Sequence, residues 1–396
     1  MNDAAFSTGN TVELLRSGAE YFPALIAAID AAQAEIRLDT YIFSDDATGR
    51  RIADALSRAA RRGVRVHVLV DGFGSAGFMD TLGADMRKDG VEVLVYRPEI
   101  ARFRLKRQRL RRLHRKLVCI DACIAFVGGI NVIDDFEHSH LPRLDFAVRV
   151  TGPLLAPIYA TMTKLWNTVR WASFGQRYHA AAPQIVCIAG AGNLTAAFIT
   201  RNNIRHRRAI EDAYLAAIRT ARQRIVIANA YFLPGRRFRR ALIEAAQRGI
   251  AVTLLLEGRS EHWLQYYATQ ALYGQLLGVG ILIHEYRQGL LHAKIAAIDD
   301  DWATVGSSNL DPFSLLLARE ANVVVRDAGF AARVRHEIEN AVATGSTPIT
   351  GWMRLNLPRR VFAWVCYGAV RVMIGLAGFS GTGADNRSSG SDPSRP

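Results

Sequence analysis

The chain has 396 residues, too many for one ordinary core and suited to two domains. Half of the residues are hydrophobic and 22% are charged, which excludes a disordered polypeptide. The formal net charge of +14 favours polyanionic partners: nucleic acid, anionic lipid or a phosphate-bearing substrate.

No basic-then-apolar secretory signal is read in residues 1–13. Apolar periodicity then predicts a helix over 24–34, a strand over 35–43, a helix over 50–61 and a strand over 64–70, with a basic turn at Arg61-Arg62-Gly63. The series returns as a helix over 209–221, a strand over 224–232, a helix over 237–247, the turn Gln247-Arg248-Gly249 and a strand over 250–256. Tyr41-Ile42-Phe43 answers Tyr231-Phe232-Leu233, and Asp71-Gly72 answers Glu257-Gly258. A period of roughly 180 residues is a domain duplication rather than a solenoid. Alternating strands and helices imply an α/β fold, a mixed sheet covered by helices. The loop 180–203 carries Ala-Ala-Ala-Pro and Gly-Ala-Gly-Asn and is the expected boundary, giving domains 1–180 and 181–350. The cysteines Cys119, Cys123, Cys187 and Cys366 form no Cys-x-x-Cys pair and no zinc-like cluster. Buried, inert thiols in a reducing compartment are expected.

Each half carries the pattern H-x-K-x-x-x-x-D: His114, Lys116 and Asp121 in the first, His292, Lys294 and Asp299 in the second. A strand period of two projects His and Lys from one face. The Asp opens a turn, and a second apolar strand follows at 124–127 and 302–305. Each copy is thus a hairpin presenting an imidazole beside an ammonium. Seven residues after each Asp begins a loop ending in Asn: Gly128-Gly129-Ile130-Asn131 and Gly306-Ser307-Ser308-Asn309. Imidazole serves as nucleophile or general acid near neutral pH, and Lys stabilises phosphoryl oxygens as a point charge. Two copies around one phosphate suit in-line attack by one His while the other protonates the leaving oxygen. No metal or other cofactor is required, because cationic and amide groups cover the developing charge.

At these residues the chain resembles the phospholipase D superfamily, and the stretches LHRKLVCIDACIAFVGGINV and LHAKIAAIDDDWATVGSSNLD look most like its bacterial cardiolipin synthases of the B type. The resemblance runs from about residue 18 to 325. It implies two phospholipase D-like mixed-sheet domains with pseudo-twofold symmetry and one active site between them. It implies His114 as the nucleophile and His292 as general acid and later base. Lys116, Lys294, Asn131 and Asn309 would hold the phosphate, with Ser307 and Ser308 adding hydroxyls on one side only. Asp121 and Asp299, members of the motif set, would fix local structure, and Asp145 and Glu320 would orient the histidines. The implied reaction is phosphatidyl transfer from one phosphatidylglycerol to another through a phosphohistidine.

Nine basic residues fall between Arg102 and Lys116, and read as a positive rim for anionic headgroups, with Leu105 and Leu110 dipping into the interface. The same run would suit a nucleic-acid backbone. Residues 361–379 hold one charge, Arg371. Arg360, Tyr367 and Arg371 share one helical face of an otherwise apolar segment, so 351–379 is expected to lie in a membrane interface, with Trp352 and Trp364 at interfacial depth. A spanning helix is possible by length, but Arg371 makes it costly. Residues 380–396 read as a disordered tail. A monomer, peripheral at the cytoplasmic face of the cell membrane, is expected, without a nucleic-acid partner. A phospholipase D-type hydrolase or a nuclease of the same superfamily is the second reading, and a non-catalytic membrane-binding protein the third.

Overall fold

The computed structural model describes residues 6–98, 112–136, 141–175, 192–201, 207–259, 263–311, 318–350 and 357–378. The first half runs β1 (Ser7–Arg16), α1 (Ser17–Ala31), β2 (Glu35–Thr40), α2 (Ala47–Arg61), β3 (Arg65–Asp71), α3 (Leu82–Lys88), β4 (Glu92–Tyr96), β5 (Arg112–Leu113), β6 (Lys116–Ile120), β7 (Ile124–Gly128), β8 (Phe146–Thr151) and α4 (Leu155–Phe174). The second runs β9 (Leu194–Arg201), α5 (Ala209–Thr220), β10 (Arg224–Asn229), α6 (Arg236–Gln247), β11 (Ala251–Glu257), α7 (Trp263–Gln270), α8 (Tyr273–Leu277), β12 (Leu282–Tyr286), β13 (Lys294–Ile298), β14 (Trp302–Gly306), β15 (Ala318–Arg326), α9 (Ala328–Gly345), β16 (Ser346–Pro348) and α10 (Leu357–Gly378).

The strands form one mixed sheet with a seam where β1 pairs antiparallel to β9. Outward from that seam the order is β8-β7-β6-β2-β3-β4 on one side and β15-β14-β13-β10-β11-β12 on the other. Matching element for element, these orders are the pseudo-twofold repeat. The turns after α2 and α6 match as well: Gly63 and Gly249 close them at φ +90° and +87°, a backbone region where a Cβ is strained.

Each half has its own apolar core, Leu25, Ile36, Leu56 and Val68 in the first and Ile218, Ile227, Leu242 and Leu254 in the second. A third cluster draws on both, joining Leu117, Val127 and Val148 to Ile295, Val305 and Val323. The halves are therefore held together by buried apolar surface as well as by the seam.

Several expectations shift. α1 starts at Ser17, earlier than 24, because Tyr21, Phe22, Leu25 and Ile29 extend the buried face through Pro23. β2 stops at Thr40 because residues 41–43 leave the sheet: Val132 N–H donates to Ile42 O, and Phe43 bridges Val132. Cys119 and Cys366 are buried and free, whereas Cys123 is disulfide-bonded, so the expectation of inert thiols fails there. The positive rim is also revised. Arg115 is buried in an ion pair with Asp39, Nε to Oδ2 2.9 Å, and Lys116 is 3% exposed, so neither faces solvent. Arg102 to Arg111, with Leu105 and Leu110, lie outside the described residues, as do the 180/181 boundary, Trp352 and 380–396.

α10 packs Ala363, Cys366 and Val370 into the second core, and Phe362 against Trp263 and Tyr267 of α7. Val361, Trp364, Val365, Val372 and Met373 face outward, exposed. Tyr367 turns inward under Arg239, so Arg360, Tyr367 and Arg371 do not form one solvated cationic face. Among the described residues, no helix is long and apolar enough to cross a membrane.

Candidate active site

The two histidines meet where the halves exchange backbone. β5 pairs in parallel with β15, and His114 N–H donates to Arg319 O at 3.1 Å. Symmetrically, Leu144 bridges Leu291, and His292 N–H donates to Leu144 O at 2.9 Å. Each residue preceding a histidine is pinned within its own half. Leu113 N–H donates to Asp71 Oδ2 at 2.7 Å, and Leu291 N–H to Glu257 Oε2 at 2.5 Å.

The side chains cross between halves too. His114 Nδ1 lies 3.0 Å from Glu320 Oε1 and 3.2 Å from Oε2. His292 Nδ1 lies 2.6 Å from Asp145 Oδ2. A carboxylate at Nδ1 holds the proton there and leaves Nε2 as the reactive nitrogen. The Tyr41 ring lies 4.9 Å from the His114 ring, centroid to centroid. Glu320 is fully buried; the Ser307 hydroxyl donates to its carboxylate, and the Arg201 guanidinium stands 3.7 Å away. On the other side Asp145 packs against Gly129, where a Cβ would come within 2.3 Å of Oδ1. Glycine is thus required opposite the aspartate, while serine serves the glutamate.

Lys116 Nζ donates to His114 O at 2.8 Å, and Lys294 Nζ to His292 O. Burial pushes the Lys116 ammonium down to about 8 and that of Lys294 down to about 7, against the pull of Glu320 and Asp145. Burial also lowers both imidazoles, which the neighbouring lysines depress further and the carboxylates partly restore. Asp145 and Glu320 stay below the usual carboxylate range despite burial, because His and Lys neighbours favour their ionised forms. The chain's own groups thus set two weakly basic imidazoles beside two reluctant cations. An arriving phosphodiester anion favours protonation of the two lysines and of the histidine that acts as acid, while the attacking imidazole must stay neutral at Nε2.

Asn131 Oδ1 accepts from Ile42 N–H at 3.2 Å, which leaves its amide NH2 for a ligand. Asn309 Oδ1 is buried with no hydrogen-bond partner. The motif aspartates stand at the far ends of β6 and β13 from the histidines. Asp121, at φ +54°, accepts from the backbone N–H groups of Gln33, Ala34 and Glu35, each at 2.8 Å. Asp299, at φ +50°, accepts likewise from Arg222, Gln223 and Arg224. Both carboxylates therefore lock turns, away from the histidines, although they belong to the motif. A shallow cleft lies beside the His292 segment, lined by Tyr231, Glu257, Arg259, Tyr266, Tyr273 and Leu290.

The sequence model of the family described as "Cardiolipin synthase, PLD-like domain" matches residues 25–140 and 214–342, one stretch in each half. The chain belongs to this family. It is 37% identical over 357 residues to cardiolipin synthase B of Escherichia coli K12, covering 89% of this chain and 85% of that one. It is 30% identical over 338 residues to the major cardiolipin synthase of Bacillus subtilis, covering 84% and 69%. Among solved structures, a phosphatidylserine synthase from Haemophilus influenzae superposes with a TM-score of 0.69 at 14% identity, covering 94% of this chain and 97% of that one. That likeness shows the phospholipase D-like fold.

Within this phospholipase D-like frame, some site residues escape a reading of the motifs. Arg201 and Arg143 carry no spacing signal. Asp71 and Glu257 had one, since Asp71-Gly72 and Glu257-Gly258 recur at matching places in the repeat.

Proposed function

We propose that this chain is a phosphatidyltransferase that makes cardiolipin from two molecules of phosphatidylglycerol. The observation that carries the reading is the crossed pair of contacts, His114 to Glu320 and His292 to Asp145, which sets two activated imidazoles in one site. In the first step His114 Nε2 attacks the phosphorus of the donor. The N–P bond forms, the P–O bond to glycerol breaks, and His292 gives its proton to the departing oxygen. In the second, the hydroxyl of another phosphatidylglycerol gives its proton to His292 and attacks. The O–P bond forms and the N–P bond breaks. Lys116, Lys294, Asn131 and Asn309 cover the non-bridging oxygens. One phosphodiester replaces another, so no nucleotide is consumed.

The outward apolar face of α10 supports docking on a lipid surface, the helix lying in the headgroup region. Residues 1–180 and 181–350 act as the two site-forming domains, and 351–379 as the membrane-associating element.

The test is lipid mass spectrometry of the purified protein on phosphatidylglycerol vesicles, beside His114→Ala and His292→Ala. Cardiolipin and glycerol in equal amounts, absent from both variants, are expected. Phosphatidic acid alone makes the protein a hydrolase, and near-wild-type synthesis by either variant overturns the paired-histidine mechanism.

A further inference from the structure

Arg143 is 9% exposed, and its guanidinium has no hydrogen bond or ion pair among the described residues. Its Nε is enclosed without a partner. The backbone is fixed on both sides of the side chain: Arg143 N–H donates to Asp135 O at 3.1 Å, and Ser17 Oγ donates to Arg143 O at 2.8 Å. A buried cation without a hydrogen-bonded partner is costly, and an arriving anion would relieve that cost.

The direction of the side chain indicates which anion. Around the Leu144 bridge the backbone is extended, so residues 143 and 145 project to the same face. Asp145 uses that face to hold His292 at 2.6 Å. Arg143 is near enough to disfavour the protonated forms of Lys116, Lys294 and His292. Of the nearby carboxylates, Asp145 is held by His292, while Asp135, which accepts from the Gly18 N–H at 2.6 Å, feels the Arg143 charge without an ion pair to it. The corresponding position in the second half, two residues before Glu320, is Ala318. The second half thus has no arginine at this register; its own buried arginine, Arg201, lies elsewhere in the fold and faces Glu320 at 3.7 Å.

In-line displacement by His114 puts the leaving oxygen, and later the incoming hydroxyl, on the His292 side. A neutral alcohol needs no cation there beyond those for the reacting phosphate; an alcohol with its own phosphate does. We propose that Arg143 binds the phosphate of the acceptor lipid and thereby selects an anionic phospholipid alcohol over neutral alcohols and water. This rests on the transfer reading above and on His114 as its nucleophile.

A competition for the shared phosphohistidine tests it. Phosphatidylglycerol vesicles are supplied with excess ethanol, and the ratio of cardiolipin to phosphatidylethanol is measured for wild type, Arg143→Gln and Arg143→Lys. Because both products leave one intermediate, the ratio is independent of the donor step. Arg143→Gln is expected to lower the ratio about tenfold or more, the loss of one charge-assisted contact, and Arg143→Lys to restore part of it. An unchanged ratio in Arg143→Gln overturns the proposal whatever happens to the total rate. If the glutamine variant does not fold, the lysine variant decides alone: its shorter, non-forked head must still lower the ratio measurably. Wild type yielding no cardiolipin at all refutes the transfer reading instead.

Discussion

Replacing Glu320 by Gln changes one atom and removes one charge, and it tests whether His114 is activated from the opposite half. His114 Nδ1 lies 3.0 Å from one carboxylate oxygen and 3.2 Å from the other. One orientation of the amide keeps an uncharged carbonyl at Nδ1, and the other turns an amide hydrogen toward the ring. In the second orientation the imidazole favours the tautomer with its proton on Nε2, the nitrogen that attacks in the proposed mechanism. Losing a charge-assisted hydrogen bond of roughly 1.5–3 kcal/mol corresponds to about 10- to 150-fold in rate. A full tautomer switch raises the loss toward about 10⁴-fold. The assay is initial cardiolipin formation on phosphatidylglycerol vesicles, with thermal melting in parallel because Arg201 loses a neighbouring charge. Ser307→Ala covers an unfolded outcome: it deletes only the hydroxyl that donates to Glu320, and a smaller rate loss in the same direction is expected. Folded Glu320→Gln working within about threefold of wild type would falsify the activation argument, being far less than one such bond is worth.

Other consequences are open to measurement. With Lys294 at about 7 and Lys116 at about 8, the lysine pair at pH 8 carries about 0.6 of a proton, so a bound phosphate analogue should draw up to about 1.4 onto the lysines, besides any taken by the imidazoles. Calorimetry in buffers of different ionisation enthalpy reads this directly, and binding without proton uptake contradicts the depressed lysines. The sign for stability follows the same shifts: between about 7 and the unfolded value of about 10.5, Lys294 binds fewer protons folded than unfolded. Its contribution to stability therefore rises with pH through that window. Asp121→Ala removes an acceptor from three backbone amides and should cost roughly 3 kcal/mol or more by chemical denaturation. Turnover per folded molecule should persist, and its abolition in a folded variant would return Asp121 to the chemistry. Trp364→Glu with Val365→Glu changes only outward-facing positions of α10. Vesicle co-sedimentation should fall by about tenfold or more, with the melting temperature kept. Undiminished binding would remove α10 from the membrane contact.

The helix–strand series and both motif hairpins are legible because their signals are local. Lys116 to Ile120 and Lys294 to Ile298 are short apolar runs bounded by polar residues, which hairpin geometry explains without long-range information. The crossed pairs are not local, lying 206 and 147 residues apart, and only the family resemblance pointed to Glu320 and Asp145. The seam was invisible for a related reason. β1 carries buried Asn10 among Val12 and Leu14, and its pairing with β9 comes from the opposite half. Arg115 misleads as part of a basic run, since its partner Asp39 sits on a neighbouring strand. Tyr41, predicted as strand, leaves the sheet to meet His114 because the next residues bond to Asn131 and Val132.

The exchange of carboxylates across the seam also sets when the protein is harmless. A phosphatidyl-transferring site with only one half in place, or with water admitted, would be a stray lipase on the membrane it serves. Here a partial opening that separates the halves takes Glu320 from His114 and Asp145 from His292 in the same motion. It also breaks the two backbone bonds that aim the histidines. Openings in a folded population span free energies up to that of global unfolding, and this one has to break both the seam and the shared apolar cluster. On the proposed mechanism it would switch the nucleophile off together with its acid, leaving a loosened molecule silent rather than destructive.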